Sequence, residues 1–393
     1  MTVLGCFVLL LTGSAVMTED IFTTAISVIV SEGQESIIPS APKGMMTKAQ
    51  YEKLSFAINK VAQPAIGVLG MTGNILGIIV FTHQESKLTS SIRVYLTALC
   101  ATDLIFLTTS LYESVLEYMQ PYYPQSITML QAYGRKFVQP ITKGARASSS
   151  FLVVVIAMER FLAITYPLGA NKSCFKRCPF VPITIVIACN IIFCTFIALS
   201  FEPVQQPDST WKAVISSFAK QGNFLKVYGI VAEVLYQLLP AFLVSSFNIG
   251  TIGQLYIARR TRKAMSQGRP TGNAADAQAT RMLLGVAIFF NICVIPSFVL
   301  GLMHIVRPDW RVGEERLLIS TATMFGMLLL IINSSSNIFV FICTSGRFRE
   351  IFISLFKKDK FYKLFECEES ILKRSVSYVK IEHQLKYTYY VKE

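Results

Sequence analysis

Seven stretches of this chain are each long and apolar enough to cross a lipid bilayer as a helix: 64–83, 94–117, 147–166, 180–201, 227–256, 282–306 and 317–343. A hydrocarbon layer about 30 Å thick takes about 20 helical residues. Inside it every backbone N–H and C=O must bond within its own segment, so runs of this kind are helices. The expected fold class is therefore an all-α membrane protein, a seven-transmembrane helix bundle. With 52% hydrophobic and 16% charged residues, a soluble multidomain enzyme and a disordered chain are both excluded. The third run carries the weakest signal, because Arg135, Lys136, Lys143 and Arg146 crowd its start and only Ala147 to Met158 is free of charge.

The formal net charge of +13 would suit nucleic acid in a soluble protein. With the N-terminus placed outside, the segments 83–93, 159–180, 255–281 and 344–393 lie inside and hold 23 Lys and Arg against 10 Asp and Glu. The outer segments hold 14 and 12. The excess positive charge is thus on the inner side, as multi-pass proteins of the plasma membrane arrange it. Anionic membrane lipid is the expected partner for it, and no nucleic acid is needed. Organisation follows: 1–15 as a signal peptide or an uncleaved apolar terminus, an extracellular segment over 16–61, the bundle over 62–343, an amphipathic helix over 344–358 and a cytoplasmic tail over 359–393. The helix at 344–358 rests on Phe348, Ile351, Phe352, Leu355 and Phe356 falling on one face, a stripe that can lie on the inner leaflet.

No GxSxG or HExxH occurs, and the chain is expected not to be an enzyme. Nine cysteines and three histidines form no metal-binding spacing. None of the cysteines falls in an outer loop, so no external disulfide is expected, and Cys367 in the tail is a candidate for lipidation. Gly67, Gly70, Gly73 and Gly77 sit inside an apolar helix without a preceding strand, which points to close helix packing instead of a phosphate loop.

Ionisable groups in a bilayer are costly and mark function by default. Asp103 lies mid-depth in the second run with no counter-charge there. Hydroxyls and amides available to it are Asn74, Ser149, Asn333, Ser334 and Asn337. Such oxygens around one carboxylate suit a small hard cation such as sodium, or a polar network that holds helices together. Glu159-Arg160 ends the third run as a charged pair at the membrane edge. It is either an interfacial pair or a switch in which Arg160 changes partners, with Asp276 a candidate acid. Pro240 and Pro296 each kink a helix. A second cluster lies nearer the outer side: Glu113 and Glu117 on one face, Lys143 and Arg146 on another, and Glu233. These neutralise one another or line a cavity for a charged ligand, with Tyr236 and Gln237 adding contacts.

Taken in order on seven spans, these residues resemble a rhodopsin-like G-protein-coupled receptor over about 60–357. The features are Gly73-Asn74, Asp103, Glu159-Arg160-Phe161 with Pro167, Pro240, Phe290 with Cys293 and Pro296, and Asn337. Asn333-Ser334-Ser335-Ser336-Asn337, Gly346-Arg347-Phe348-Arg349, Ser200-Phe201-Glu202 and Tyr133 with Pro140 look like invertebrate FMRFamide-type neuropeptide receptors. The resemblance implies an extracellular peptide ligand and a heterotrimeric G protein as partners. It gives Asp103, Ser149, Asn333, Ser334 and Asn337 an allosteric sodium ion, no other cofactor being expected. Glu113, Glu117, Glu202 or Glu233 would take the ligand's positive end. Activation would run through Glu159, Arg160, Asp276, Pro240, Phe290 and Pro296. The chain departs from the pattern at Arg135, where a cysteine is expected, at Val294 for a tryptophan, and at Ile338 and Phe341 after Asn337. A nematode-type chemosensory receptor and a membrane transporter are the alternatives.

Overall fold

The computed structural model describes residues 47–82, 90–166, 174–265, 274–306, 316–344 and 346–355. The expected signal peptide, most of the extracellular segment, the tail and Cys367 lie outside the described residues.

Helix α1, Lys48–Thr82, starts ahead of the apolar run at 64–83. Thr47 caps it: its Oγ1 accepts from the Gln50 N–H, and Gln50 Oε1 accepts from the Thr47 N–H, so two otherwise orphaned donors are satisfied. Its turn Phe56–Ala62 is π-helical. Helices α2 (Ser90–Met119) and α3 (Pro124–Thr165) follow, then the single turn α4 (Cys174–Arg177) and α5 (Phe180–Ser200). Strands β1 (Phe201–Gln205) and β2 (Trp211–Ile215) form an antiparallel hairpin. Helix α6 runs through Phe224–Glu233, a π-helical stretch Val234–Leu238, and Leu239–Met265. Helices α7 (Ala274–Val306) and α8 (Arg316–Thr344) close the bundle. Seven of these helices are long and apolar enough to cross a membrane.

Helix α3 is the longest, and the run read at 147–166 is only its second half. The basic residues that crowd the start of the third span lie within the helix. α3 packs against α2, α5, α6, α7 and both strands, while Arg135 and Lys143 of its first half stay exposed. Leu152 to Ala157 are buried without a break. In contrast α5 exposes Ile185, Ile191 and Ile192, as a helix with one side on hydrocarbon should. Bulky apolar residues, among them Tyr95, Phe106, Phe290 and Phe341, fill the interior.

The glycines of α1 act as expected at three positions of four. A Cβ on Gly70 would stand 2.8 Å from Ser335 Cα, on Gly73 2.6 Å from Ile338 Cγ2, and on Gly77 3.0 Å from Cys100 Sγ. Gly67 has nothing within 4 Å, so the packing account does not cover it.

The hairpin, absent from the sequence reading, is held to the Pro124 end of α3. The Trp211 N–H donates to Thr128 Oγ1 at 3.2 Å, the Trp211 ring lies 5.7 Å from that of Tyr133, and the Arg135 guanidinium lies 5.2 Å from the Phe201 ring centroid. Its turn contains Ser209 at φ 65°. Asp208 steadies the turn: Oδ1 accepts from the Thr210 N–H and hydroxyl at 3.1 and 2.7 Å, which holds its carboxyl below the usual range.

From Gly346 the chain forms a second unit. Gly346–Leu355 is a ten-residue helix, α9. Phe348 and Phe352 stack on one face with ring centroids 6.2 Å apart, in the periodicity expected of the amphipathic segment.

Candidate functional site

Three polar groupings lie along the bundle. The first is built on Asp103 of α2, which has no exposed surface. Its Oδ1 accepts from Ser149 Oγ of α3 at 2.7 Å, and its Oδ2 from Asn337 Nδ2 of α8 at 2.6 Å. The Ser334 side chain is a further hydrogen-bond partner. Asn74 of α1 joins α8 by donating to the Ser334 carbonyl at 2.9 Å, and it also donates to the Gly70 carbonyl of its own helix at 2.9 Å. Three helices, α2, α3 and α8, therefore meet at one carboxylate, with Asn74 tying α1 to α8 beside it.

Next to this network is a cavity of about 10 Å³ lined by Ser149, Asn333, Ser334, Arg146 and Val294 among others, room for about one water-sized occupant. Asp103 is not part of that wall, and the cationic Arg146 is, so the space does not itself join the carboxylate to a set of oxygen ligands. Val294 stands at this cavity where the resemblance expects a tryptophan.

The second grouping, expected either to neutralise itself or to line one cavity for a charged ligand, is divided in the structure. Lys143 and Arg146 of α3 are within electrostatic reach of Glu233 on α6. Gln237 Nε2 donates to Glu233 Oε2, and the Glu233 carboxyl packs on α7 where Gly301 leaves space, since a Cβ there would come within 2.8 Å of it. Tyr236 and Gln237 are buried, at 8% and 4% exposed. They lie in the π-helical stretch of α6, whose widened turn re-aims side chains just ahead of Pro240. No sequence signal marked that stretch. Glu113 and Glu117 instead line a cavity of about 320 Å³ between α1, α2 and α8, although Glu113 remains within electrostatic reach of Lys143 and Arg135. Glu202 is exposed on β1 opposite Val214, and no described contact brings it to either group.

The third grouping is at the other end of α3. Arg160 Nε lies 3.5 Å from Glu159 Oε2, both side chains under a tenth exposed, and Glu159 Oε1 accepts from Ser91 Oγ of α2 at 3.0 Å. Nearby, the Tyr95 hydroxyl donates to the Phe175 carbonyl of α4 at 2.6 Å. Asp276 falls in α7, but its side chain lies outside the described residues, so no pairing with Arg160 is assigned. Phe290 is 1% exposed. Pro296 lies inside α7. One residue on, Ser297 Oγ donates to the Gly326 carbonyl of α8 at 2.9 Å.

The sequence reading missed Arg135 with Phe201, and Gly301 under Glu233. Aromatic residues at 201 and 211 flanking Gln206-Pro207-Asp208-Ser209 were a usable hairpin signal. Nothing local marked Gly301.

The family model for serpentine-type seven-helix G-protein-coupled chemoreceptors of the Srw class matches residues 61–359. The chain is 22% identical to an FMRFamide receptor of Drosophila melanogaster, over 79% of this chain and 55% of that protein. It is 24% identical to the FMRFamide peptide receptor frpr-18 of Caenorhabditis elegans, over 74% of this chain and 67% of that one. It is also 24% identical to the human B1 bradykinin receptor, over 59% and 62%. The chain thus spans little more than half the length of the Drosophila relative.

Proposed function

The chain belongs to the serpentine G-protein-coupled receptors of the Srw family, and from that membership we propose that it is a plasma-membrane receptor for a short extracellular peptide that activates a heterotrimeric G protein. The observation that carries the reading is the placement of two charged groupings on one continuous helix. Lys143 and Arg146 lie at the middle of α3, and Arg160 lies near its far end. About 17 residues of helix at 1.5 Å each put roughly 25 Å between them, the scale on which a ligand at one end must act on a partner at the other. The hairpin end would face outward, with the N-terminus outside and the C-terminus in the cytoplasm. The similarity to two invertebrate FMRFamide receptors favours a peptide ligand.

Ligand binding would bias the packing of α6 and α7 against α3. Pro296 deprives Ile292 of a backbone donor, and this gives α7 a point at which to bend. Arg160, now held by Glu159, would turn to the G protein. Asp103, Ser149, Asn333, Ser334 and Asn337 would hold a sodium ion, whose chemistry is to offset the buried negative charge and favour the resting arrangement. The test is Arg160→Ala in cells with signalling read against an amidated-peptide panel: lost coupling with retained peptide binding is expected, and unchanged signalling would refute the switch.

A second reading, a chemosensory receptor for small molecules, is favoured by the match to a chemoreceptor family. A response to volatile or small polar compounds with silence toward peptides would select it. The family match sets aside the transporter.

A further inference from the structure

Next to Arg160, the contact between α3 and α6 is made against a glycine. The Phe161 ring is seated on bare backbone: an ideal Cβ on Gly250 would stand 2.7 Å from Phe161 Cε2 and 3.0 Å from its Cδ2. Phe247, nearly one turn earlier on α6, flanks the ring with centroids 5.9 Å apart. Residues three apart share a helix face, so Phe247 and Gly250 form a notch with the ring in it. The bulk of this stretch points the other way. Ile249 and Ile252 are 71% and 49% exposed, as side chains on hydrocarbon are, which leaves the inward side to Phe247, Gly250 and Thr251.

Thr251 supplies an independent observation. It is 4% exposed, and its hydroxyl has no hydrogen-bond partner among the described residues. Earlier on α6, Ser245 and Ser246 each donate to the carbonyl four residues back, at 2.7 and 2.8 Å, the usual way for a helix to satisfy a hydroxyl. Thr251 makes no such bond, so the seated arrangement keeps a buried donor unsatisfied. That favours any displacement of α6 that wets the hydroxyl or brings it an acceptor. The ring holds while the hydroxyl works against it, and a packed contact under such opposition has two arrangements instead of a continuum. Pro240 removes a backbone donor ten residues earlier, which lets the part of α6 beyond it swing. Because Phe161 directly follows Arg160, a ring leaving its notch releases the turn of α3 that carries the arginine.

We infer that Phe161 in the Gly250 notch is an autoinhibitory latch. Seated, the ring holds α6 to α3 and keeps Arg160 on Glu159; unseated, it frees α6 to move and Arg160 to meet the G protein. The inference rests on the receptor reading above and adds Phe161, Gly250 and Thr251 to it as positioning residues.

Two readouts test it without any ligand. One is basal guanine-nucleotide loading of a co-expressed heterotrimeric G protein in membranes of cells making the full chain, normalised to surface expression. The other is hydrogen exchange over 247–256 in the purified full chain. Gly250→Ala puts a methyl group where the ring edge lies. It should raise basal loading about fivefold and speed exchange over that stretch. Gly253→Ala is the control: it brings the same gain in helix propensity, but a Cβ there has nothing within 4 Å, so both readouts should match the unaltered protein. Thr251→Val keeps the shape, removes the unsatisfied hydroxyl and should lower basal loading. Combining Gly250→Ala with Phe161→Leu makes room for the methyl group, so loading should fall back toward the unaltered value, whereas unrelated defects would add. Unchanged or lowered loading in Gly250→Ala, equal rises in both glycine variants, or a double variant as active as Gly250→Ala would overturn the latch. Faster exchange in Gly250→Ala alone, reversed in the double variant and with no loading by any form, would keep the latch and remove the receptor reading. Loading by the unaltered chain that no substitution changes would do the reverse.

Discussion

Asp103 has no exposed surface and two donors within 2.7 Å, from Ser149 and Asn337, so each donor can be removed singly and the effect assigned. Asn337→Ala strips Oδ2 of its amide, and Ser149→Ala strips Oδ1 of its hydroxyl. Each should lower stability by about 1–3 kcal/mol, the cost of a buried charged acceptor left short of a partner. Thermal unfolding of the detergent-solubilised receptor reads this directly, and a double variant far from additive would show that the two donors share one network. The same carboxylate governs the ion expectation. If sodium favours the resting arrangement, peptide affinity falls as sodium rises at constant ionic strength, and Asp103→Asn flattens the curve. A flat response in the unaltered protein would remove the ion from the account. That these residues are legible as a set in the amino-acid sequence is a property of long apolar helices. Once the spans are counted, helical register fixes depth, and polar residues at one depth have few other places to go.

At the scale of elements the sequence was less informative, for physical reasons. Hydropathy reports on apolar content and not on helix formation, so Arg135, Lys136, Lys143 and Arg146 made half of a continuous helix look like a loop. An isolated two-stranded hairpin is marginal in water. β1 and β2 exist because α3 supports them through Trp211, Tyr133, Thr128 and Arg135, contacts between residues far apart in sequence. The π-helical stretch at Val234–Leu238 has no local signature either. Arg135 stands where the resemblance expects a cysteine, and its stacking on Phe201 at 5.2 Å is a reversible tie at the same place. Arg135→Ala should cost about 0.5–1 kcal/mol of that tie, the range for an exposed cation over a ring, and Trp211→Ala a comparable amount from lost ring contact. Neither affects the bundle, so hydrogen exchange should speed up over 201–215 while α2 and α8 stay protected. Unchanged protection of the hairpin amides in both variants would mean that the strands hold themselves. The α1–α8 seam behaves oppositely. Gly70→Val forces a branched side chain onto the Ser335 backbone, a cost of about 1–3 kcal/mol for overpacking that should lower the melting temperature of the whole bundle.

For the molecule as a whole, what the sequence could not supply was the sorting of charges that lie at similar depth. Glu113, Glu117 and Glu233 are indistinguishable by hydropathy. They separate only because α2 presents the first two toward α1 and α8, while α6 brings Glu233 against α3 and Gly301 of α7. Glu202, read as a member of the same group, ended on the exposed edge of the hairpin. This sorting gives the bundle an acid-lined opening between α1, α2 and α8, a mixed-charge centre midway along α3, and the Glu159–Arg160 pair toward the far end of α3. Function as a receptor requires the two ends of α3 to face different compartments. The charge count argues for one orientation: the segments on the Arg160 side carry the excess of lysine and arginine that multi-pass proteins keep in the cytoplasm. An odd number of crossings then puts the two termini on opposite sides. An epitope at residue 20 should bind antibody on intact cells expressing the full chain, and one at the C-terminus only after permeabilisation. Placing further tags in 167–173 and between β1 and β2 extends the test, with only the hairpin tag accessible from outside. If the 167–173 tag were reached on intact cells, Arg160 would face away from every cytoplasmic partner. Coupling through that residue would then be impossible, however well the Asp103 network was preserved.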